Sequence, residues 1–302
     1  MEQLTIHAYA KINLALDVLN RRPDGYHTVR MIMQSLSLCD TLFMRKQTEP
    51  GIKLSARNPE HYPDITWDEH NLIYKAARLF MDTYSIDGGV QIIVDKQIPS
   101  SAGLAGGSSD AAATLNGLNQ LFDKKLSTKE LKSLGIKLGA DVPYCIDLGT
   151  ALSEGIGEVL TPLTPAPALY CTLVKPAASV STKYVYEHLN LEEATHPDID
   201  AALSAIETGD VNKLCSNLNN ILEPVALTLC PEVIKIKKIL LEMGAAGVCM
   251  SGSGPTVFGL FTDGNDAIET AEYFLDHGYA ERSFVTKFYQ PPLRKLNYAD
   301  IQ

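Results

Sequence analysis

Hydrophobic and polar residues alternate along the start of the chain, between residues 5 and 18. Apolar side chains from Ile6 to Val18 share one face, and the other face carries polar residues that include Lys11 and Asn13. A period of two residues predicts a strand with one buried face. The polar face then meets either solvent or a cleft into which Lys11 and Asn13 project together. The Pro-Asp-Gly sequence at 23–25 predicts a turn, and residues 28–45 predict further extended chain.

Helical periodicity appears next, interrupted by one short apolar run. Residues 71–84 place apolar side chains on one stripe of a helix, and residues 90–95 read as a strand. A glycine-rich loop and a second helix follow. Ser127, with Glu130 three residues on, predicts a capping box at the start of another helix. The Thr- and Pro-rich stretch at 161–168 is the candidate linker, and 302 residues favour two domains, 1–160 and 161–302.

The pattern after the linker predicts strands and helices in the order β–α–β–β–α–β, with extra helical residues at 198–223. That order is typical of a ferredoxin-like domain. The strands are predicted at 169–176, 246–250, 256–261 and 283–289, and the two helices at 231–244 and 265–278.

Composition narrows the class of protein. The chain is 45% hydrophobic and 21% charged, which is typical of a soluble globular protein and excludes a disordered, coiled-coil or collagen-like chain. A net charge of −10 argues against nonspecific binding to nucleic acid or anionic membranes. No signal peptide, no apolar run of membrane-spanning length and six scattered cysteines without a CxxC pair predict a reduced, cytoplasmic protein. Any anionic ligand therefore needs a local binding device.

The sequence PSSAGLAGGSSDAA at 99–112 is the strongest candidate for such a device. It lies between a predicted strand and a predicted helix, where glycines let backbone N–H groups approach an anion and the helix N-terminus adds partial positive charge. Alone, the loop could equally be a flexible turn. It is not a Walker A loop, because no Lys follows the glycines, nor a GxGxxG fingerprint, and the kinase HRD and DFG motifs are missing.

Two further segments admit two interpretations each. In LGADVPY at 138–144, Asp141 taken alone is more simply a helix N-cap, with Pro143 in the first turn, than a reactive carboxylate. In MSGSGPTVFG at 250–259, the glycines taken alone are most simply a tight hairpin.

Together these segments resemble the GHMP kinase superfamily, in which the first glycine-rich loop binds ATP. AKINLALDV at 10–18 and RRPDGYH at 21–27 narrow the resemblance to the branch that phosphorylates a cytidine diphosphate ester of methylerythritol, on its 2-hydroxyl, in the non-mevalonate isoprenoid pathway. The resemblance implies an α+β fold with a ribosomal-protein-S5-like, ATP-binding N-terminal domain and a ferredoxin-like, substrate-binding C-terminal domain. It also implies an active site in the cleft between them.

The resemblance assigns roles at the acceptor side. It makes Lys11 and Asp141 the catalytic pair, with Asp141 as the base. It makes Asn13 the residue that binds the hydroxyls of the substrate. The cytidine contacts fall on Tyr26 and His27. The remaining substrate contacts are Thr182 and a second stacking aromatic at Tyr186, for which Tyr184 competes.

The resemblance also assigns the nucleotide side. Lys96, which could equally be a solvated lysine at the end of a strand, and Asn71 fall near the adenosine. The implied ATP loop comprises Pro99, Ser100, Ser101, Ala102, Gly103, Leu104, Ala105, Gly106, Gly107, Ser108 and Ser109.

The implied cofactors are ATP and Mg²⁺, and the sequence identifies no ligand for the metal. The implied partner is the small-molecule substrate, and neither nucleic acid nor a membrane is expected to bind. The protein is expected to be a monomer or a weak homodimer. The alternative function is a noncatalytic nucleotide-binding protein on the same fold.

Overall fold

The alternating start of the chain forms a long strand, β1 (Gln3–Arg21), in the computed structural model, which describes residues 2–292. A turn at 22–26 joins it to the antiparallel strand β2 (His27–Gln47). In this turn Gly25 has a φ of +88°, and the Tyr26 N–H donates to Asp24 Oδ1 at 3.1 Å. The predicted turn and both predicted extended segments are therefore confirmed.

The first sheet is built around this hairpin. Its main path has the order β3–β4–β2–β1–β8, while β5 pairs with the start of β2, and β6 pairs with β5. The additional strands are β3 (Gly51–Ala56), β4 (Gly89–Asp95), β5 (Thr150–Gly155), β6 (Val159–Pro162) and β8 (Asn219–Asn220). The first sheet thus takes a short strand from the second half of the chain.

The second sheet has the order β11–β7–β10–β9, with antiparallel pairs throughout. Taken in chain order this is 4–1–3–2, the arrangement of a ferredoxin-like sheet, so the predicted β–α–β–β–α–β pattern is confirmed. Its strands are β7 (Tyr170–Lys175), β9 (Gly247–Met250), β10 (Val257–Phe261) and β11 (Arg282–Lys287).

Helices pack against both sheets. Those predicted at 71–84, after Ser127, at 231–244 and at 265–278 are confirmed, whereas the 3-10 turn at 59–61 and the helices at 182–187 and 223–229 were not predicted. The stretch 198–223, predicted as two helices, also contains the strand β8, because these two residues pair with β1. The capping box is present, because Ser127 Oγ accepts from the Glu130 N–H at 3.3 Å and Glu130 Oε2 accepts from the Ser127 N–H at 2.7 Å. The helices are a 3-10 turn (Pro59–His61), α1 (Leu72–Thr83), α2 (Gly106–Leu121), α3 (Thr128–Gly135), α4 (Val142–Asp147), α5 (Thr182–Glu187), α6 (Ile199–Thr208), α7 (Val211–Ser216), α8 (Glu223–Leu229), α9 (Glu232–Glu242) and α10 (Gly264–Asp276).

Both faces of β1 are buried, which decides between the two interpretations of its polar face. Ile12 and Leu14 join a core that also contains Leu173 of β7 and Phe258 of β10. The polar side chains of Lys11 and Asn13 are 5% and 0% exposed, so this face lines a cleft rather than solvent. Within residues 2–292, no helix combines the length and apolar character needed to span a bilayer.

The glycine-rich loop at 99–105 meets the β9–β10 loop at 251–256. Ser251 Oγ donates to the Gly103 carbonyl oxygen at 2.9 Å. Gly103 has a φ of +73°, and a Cβ atom there would lie 2.1 Å from the Ser251 carbonyl oxygen. Only glycine permits this close approach of two backbones.

We expect Gly103→Ala to lower the free energy of unfolding by about 3 kcal/mol, because a positive φ and a backbone overlap both oppose the new methyl group. Gly25→Ala is the matched control, since Gly25 also has a positive φ but no atom within 4 Å of its Cβ position. The control should lose only about 1 kcal/mol. Urea unfolding measures both, and equal losses would contradict the overlap argument.

Candidate active site

A cavity of about 980 Å³ opens between β1, the 22–26 turn, the glycine-rich loop, α5 and the β9–β10 loop. This volume is at the upper end of the range for small-molecule sites. Most of the residues that the sequence singled out contribute to its wall: Lys11, Asn13, Tyr26, His27, Asn71, Lys96, Pro99, Ser100, Ser101, Ala102, Gly103, Ala105, Gly106, Gly107, Ser108, Asp141, Thr182 and Tyr186.

Two residues of the predicted ATP loop have other surroundings. Leu104 is packed in the core, and its carbonyl oxygen accepts from the Lys11 N–H at 3.1 Å. Ser109 is buried, and its hydroxyl donates to the Tyr9 carbonyl oxygen at 2.6 Å. Leu104 through its backbone and Ser109 through its side chain therefore anchor the loop to β1, and neither residue forms the wall of the cavity.

Lys11 and Asp141 face each other across the middle of the cavity, with Nζ and Oδ2 4.0 Å apart. Asp141 occupies the N-cap position of α4, but its side chain makes no capping hydrogen bond. The N-cap interpretation of this carboxylate is therefore wrong, although the helix does begin where it predicted. With about a third of its side chain exposed, Asp141 can accept a proton from a bound molecule.

Asn13 fixes the position of Lys11. Its Oδ1 accepts from Lys11 Nζ at 2.8 Å and from the Gly252 N–H at 3.1 Å. Its Nδ2 lies 3.2 Å from the sulfur of Met31. The same side chain thus fixes the lysine and the β9–β10 loop relative to each other.

The glycine-rich loop ends in a helix N-terminus that no side chain caps. Ser101, Gly103 and Ala105 all have a positive φ, and Ala105 is the uncapped residue before α2. Backbone N–H groups of the first helical turn are consequently left for an external acceptor. With the partial positive charge of the helix, this end of the cavity suits an anion such as a phosphate. The Ser108 side chain lines the same end.

A buried charge cluster lies beneath this loop. Lys96 is 3% exposed and its ammonium pairs with Asp40 and with Asp110, the latter at 2.9 Å. The interpretation of Lys96 as a solvated lysine is therefore wrong. Burial alone would lower the pKa of Lys96, but the carboxylates of Asp110 and Asp40 outweigh this and hold the pKa above its usual value.

Aromatic rings line the opposite end of the cavity. The ring centroids of His27 and Tyr186 lie 5.2 Å apart, and Tyr26 is 59% exposed at the mouth. Burial, and then the nearby charge of Arg21, lowers the pKa of His27, so this imidazole is neutral at neutral pH. Tyr184 is not part of the wall, because it stacks on His188 with centroids 3.7 Å apart.

Thr182 and Arg21 complete this end. The hydroxyls of Thr182 and Ser253 lie 2.7 Å apart, which links α5 to the β9–β10 loop. Arg21 lines the cavity, and no carboxylate of residues 2–292 pairs with it, whereas the adjacent Arg22 is bound to Asp24 at 2.8 Å.

Sequence reasoning missed Arg21, Asp40 and Asp110. The Pro-Asp-Gly sequence predicts a turn, but it does not distinguish Arg21 from the other polar residues beside that turn. Asp40 and Asp110 lie 70 positions apart in the chain, and only the packing of β2 against α2 brings them to one ammonium.

Comparison with known proteins places the chain in one family. Residues 71–149 match the GHMP kinases N terminal domain, and residues 202–280 match the GHMP kinases C terminal domain. A 4-diphosphocytidyl-2-C-methyl-D-erythritol kinase of Lachnoclostridium phytofermentans is 52% identical, covering 96% of this chain and 99% of the relative. The corresponding kinase of Bacillus velezensis is 49% identical over 84% of this chain and 86% of its own.

Solved structures agree with these relatives. A crystal structure of 4-(cytidine 5'-diphospho)-2C-methyl-D-erythritol kinase matches with a TM-score of 0.81 and 32% identity, covering 95% of this chain and all of that one. A homoserine kinase from Cytophaga hutchinsonii shares the fold, with a TM-score of 0.77 at 21% identity over 96% and 95% of the two chains. The α+β, two-part fold implied by the sequence is thus confirmed, and the chain belongs to the 4-diphosphocytidyl-2-C-methyl-D-erythritol kinases, a family of GHMP kinases.

Proposed function

We propose that this chain transfers the γ-phosphate of ATP to the 2-hydroxyl of 4-(cytidine 5'-diphospho)-2-C-methyl-D-erythritol. The products are the 2-phosphate and ADP, in the non-mevalonate route to isoprenoid precursors. The observation that carries the proposal is the Lys11–Asp141 pair, placed between an anion-binding loop at one end of a single cavity and an aromatic cleft at the other. The names of the relatives and the family membership agree with this assignment.

The nucleotide occupies the end of the cavity beneath α2. Its phosphates accept hydrogen bonds from the uncapped N–H groups at Gly106 and Gly107 and from the Ser108 hydroxyl, in the field of the helix N-terminus. Mg²⁺ enters with ATP as part of the substrate and screens the phosphate charge. Asn71 lines the adenosine side, where its carboxamide already caps α1 through the Ile73 N–H at 2.9 Å.

Phosphoryl transfer needs alignment, neutralisation of charge and a group that takes the hydroxyl proton. Asp141 takes the proton from the 2-hydroxyl of the substrate. The oxygen of that hydroxyl attacks the γ-phosphorus, and the bond between the γ-phosphorus and the oxygen that stays with ADP breaks. The Lys11 ammonium, held by Asn13, stabilises the negative charge that develops around the transferred group. The substrate hydroxyls lie beside this pair, on the side of the cavity that Asn13 lines.

The cytidine diphosphate part occupies the other end. The cytosine ring stacks between Tyr26 and Tyr186, while the neutral His27 imidazole, a donor and an acceptor at once, bonds to the base. The guanidinium of Arg21, with which no carboxylate within residues 2–292 pairs, lies at the same end and suits the diphosphate.

The remaining assignments stay predictions. They are a cytoplasmic location, a monomer or weak homodimer that binds neither nucleic acid nor membrane, and the division into 1–160 for ATP and 161–302 for substrate. Lys11, Tyr26 and His27 all belong to the first of those ranges, so the proposed substrate site draws on both.

We expect purified protein with ATP, Mg²⁺ and the cytidyl substrate to form ADP and the 2-phosphate. Asp141→Asn should lower kcat by at least about 100-fold, because the amide cannot take the proton. ATP binding, measured by calorimetry, and the melting temperature should stay close to those of the wild type. Turnover of homoserine or mevalonate instead would contradict the proposal, and ATP binding without any turnover by the wild type would favour the noncatalytic alternative.

The two neighbouring tyrosines provide a matched pair. Tyr186→Ala should raise KM for the cytidyl substrate by about tenfold or more through the loss of one stacking face, with KM for ATP unchanged. Tyr184→Ala, whose ring stacks on His188 outside the cavity, should change neither constant appreciably. Steady-state kinetics with each substrate varied in turn measures both variants. The reverse order of effects would transfer the stacking role to Tyr184.

A further inference from the structure

The buried cluster of Asp40, Lys96 and Asp110 contains two carboxyl groups but one ammonium. All three residues lie within the fold, with 0%, 3% and 4% of their surface exposed. If both acids were ionised, the cluster would carry a net charge of −1 where little solvent can screen it. The hydrogen bonds of the two acids differ in a way that assigns their charges.

Asp40 has the surroundings of an ionised carboxylate. Its Oδ1 accepts from the N–H groups of Gln97 at 2.6 Å and Ile98 at 2.8 Å, and its Oδ2 accepts from Lys96 Nζ. Several donors directed at one carboxyl group stabilise its charged form. Asp40 thereby fixes the backbone that leads from β4 into the glycine-rich loop.

Asp110 has far less support for a negative charge. Its Oδ2 accepts from Lys96 Nζ at 2.9 Å, but its buried Oδ1 has no hydrogen-bond partner among the described residues. An unpartnered oxygen of a buried carboxylate is costly, and the cost falls when the group is neutral. Asp110 and Asp40 also bind the same ammonium, so their carboxyl groups lie close together, and a proton on one of them removes the repulsion between two buried negative charges.

We propose that native Asp110 is a neutral carboxylic acid at neutral pH, so that Lys96 and Asp40 form the ion pair. The assignment agrees with the surroundings of the group: burial raises the pKa of Asp110, the Lys96 ammonium opposes the rise and the Asp40 carboxylate adds to it.

The consequence concerns nucleotide binding and rests on the proposed function. A Cβ atom on Gly106 would lie 3.1 Å from Lys96 Nζ, so the cluster is the floor of the loop that receives the phosphates. With Asp110 neutral, this floor carries no net charge. Ionisation of Asp110 would place a second negative charge beside a polyanion. Asp110 is therefore a positioning residue that holds the Lys96 ammonium without repelling ATP.

Other titratable groups around the cluster do not obscure its titration. Cys145 of α4 interacts electrostatically with Asp110, and also with Lys11 and Asp141. Tyr62, beside the 3-10 turn, lies close enough to Asp40 and Lys96 for their charges to act on it. Cys39, the residue before Asp40, has a thiol whose pKa burial raises. Burial raises the pKa of both Cys145 and Tyr62, so each is neutral below pH 8.

Asp110→Asn tests the proton directly, because the amide, like a neutral acid, carries no charge and combines an acceptor oxygen with a donor group, but it cannot release a proton. The folded wild type keeps the proton, whereas its unfolded chain releases it above a pH of about 4. From pH 5 to 7, the unfolding constant of the wild type relative to that of Asp110→Asn should therefore rise about tenfold per pH unit. Urea unfolding at each pH measures this ratio. A ratio independent of pH would show that native Asp110 is ionised and would overturn the proposal.

Two controls accompany this measurement. Asp123→Asn, at a side chain 79% exposed, should give a nearly constant ratio to the wild type. Asp40→Asn removes the ionised partner and should abolish folding or lower the melting temperature strongly. An equal loss of folding or of melting temperature in Asp110→Asn would contradict the different roles of the two acids.

Infrared difference spectroscopy supplies a direct signature. The wild type should show the C=O band of a protonated carboxyl group that is lost in Asp110→Asn, and no such band would overturn the assignment. The unfolding and infrared results require no turnover, so they separate failure of this proposal from failure of the proposed function.

Discussion

One carbonyl oxygen, Asn13 Oδ1, holds together the parts on which the active site depends. It accepts from the ammonium of Lys11 and from the backbone N–H of Gly252, two groups that lie more than 200 residues apart in the sequence. Because Asn13 is fully buried, water does not compete for this oxygen. The oxygen thereby fixes the distance between the proposed catalytic pair and couples it to the second sheet.

The positive charges of the cavity are few, and each lies at a separate position. An acidic chain of net charge −10 binds polyanions only where positive charge is local, and the cavity supplies such charge at separate points. Lys11 is held by Asn13, Lys96 by Asp40 and Asp110, and the helix N-terminus of α2 is left uncapped. The net charge of the chain therefore excludes little about the ligand.

Local patterns predicted most of the secondary structure. The alternation along β1, the capping box at Ser127 and the β–α–β–β–α–β order depend on neighbouring residues, and all three are confirmed. The failures occurred where a residue had two local interpretations. Asp141 begins a helix without capping it, and Lys96 ends a strand without meeting solvent, because distant elements set the surroundings of each side chain.

The sequence by itself determined the long first hairpin, the main helices, the strand order of the second sheet, the family resemblance and the set of residues that line most of the cavity. Tertiary structure decided which face of β1 lines a cleft, which of Tyr184 and Tyr186 enters the cavity, and how Ser109 differs from Ser108. It also created the cluster of Asp40, Lys96 and Asp110. The physical reason is that periodicity and capping act over a few residues, whereas burial and charge pairing depend on elements that meet only after folding.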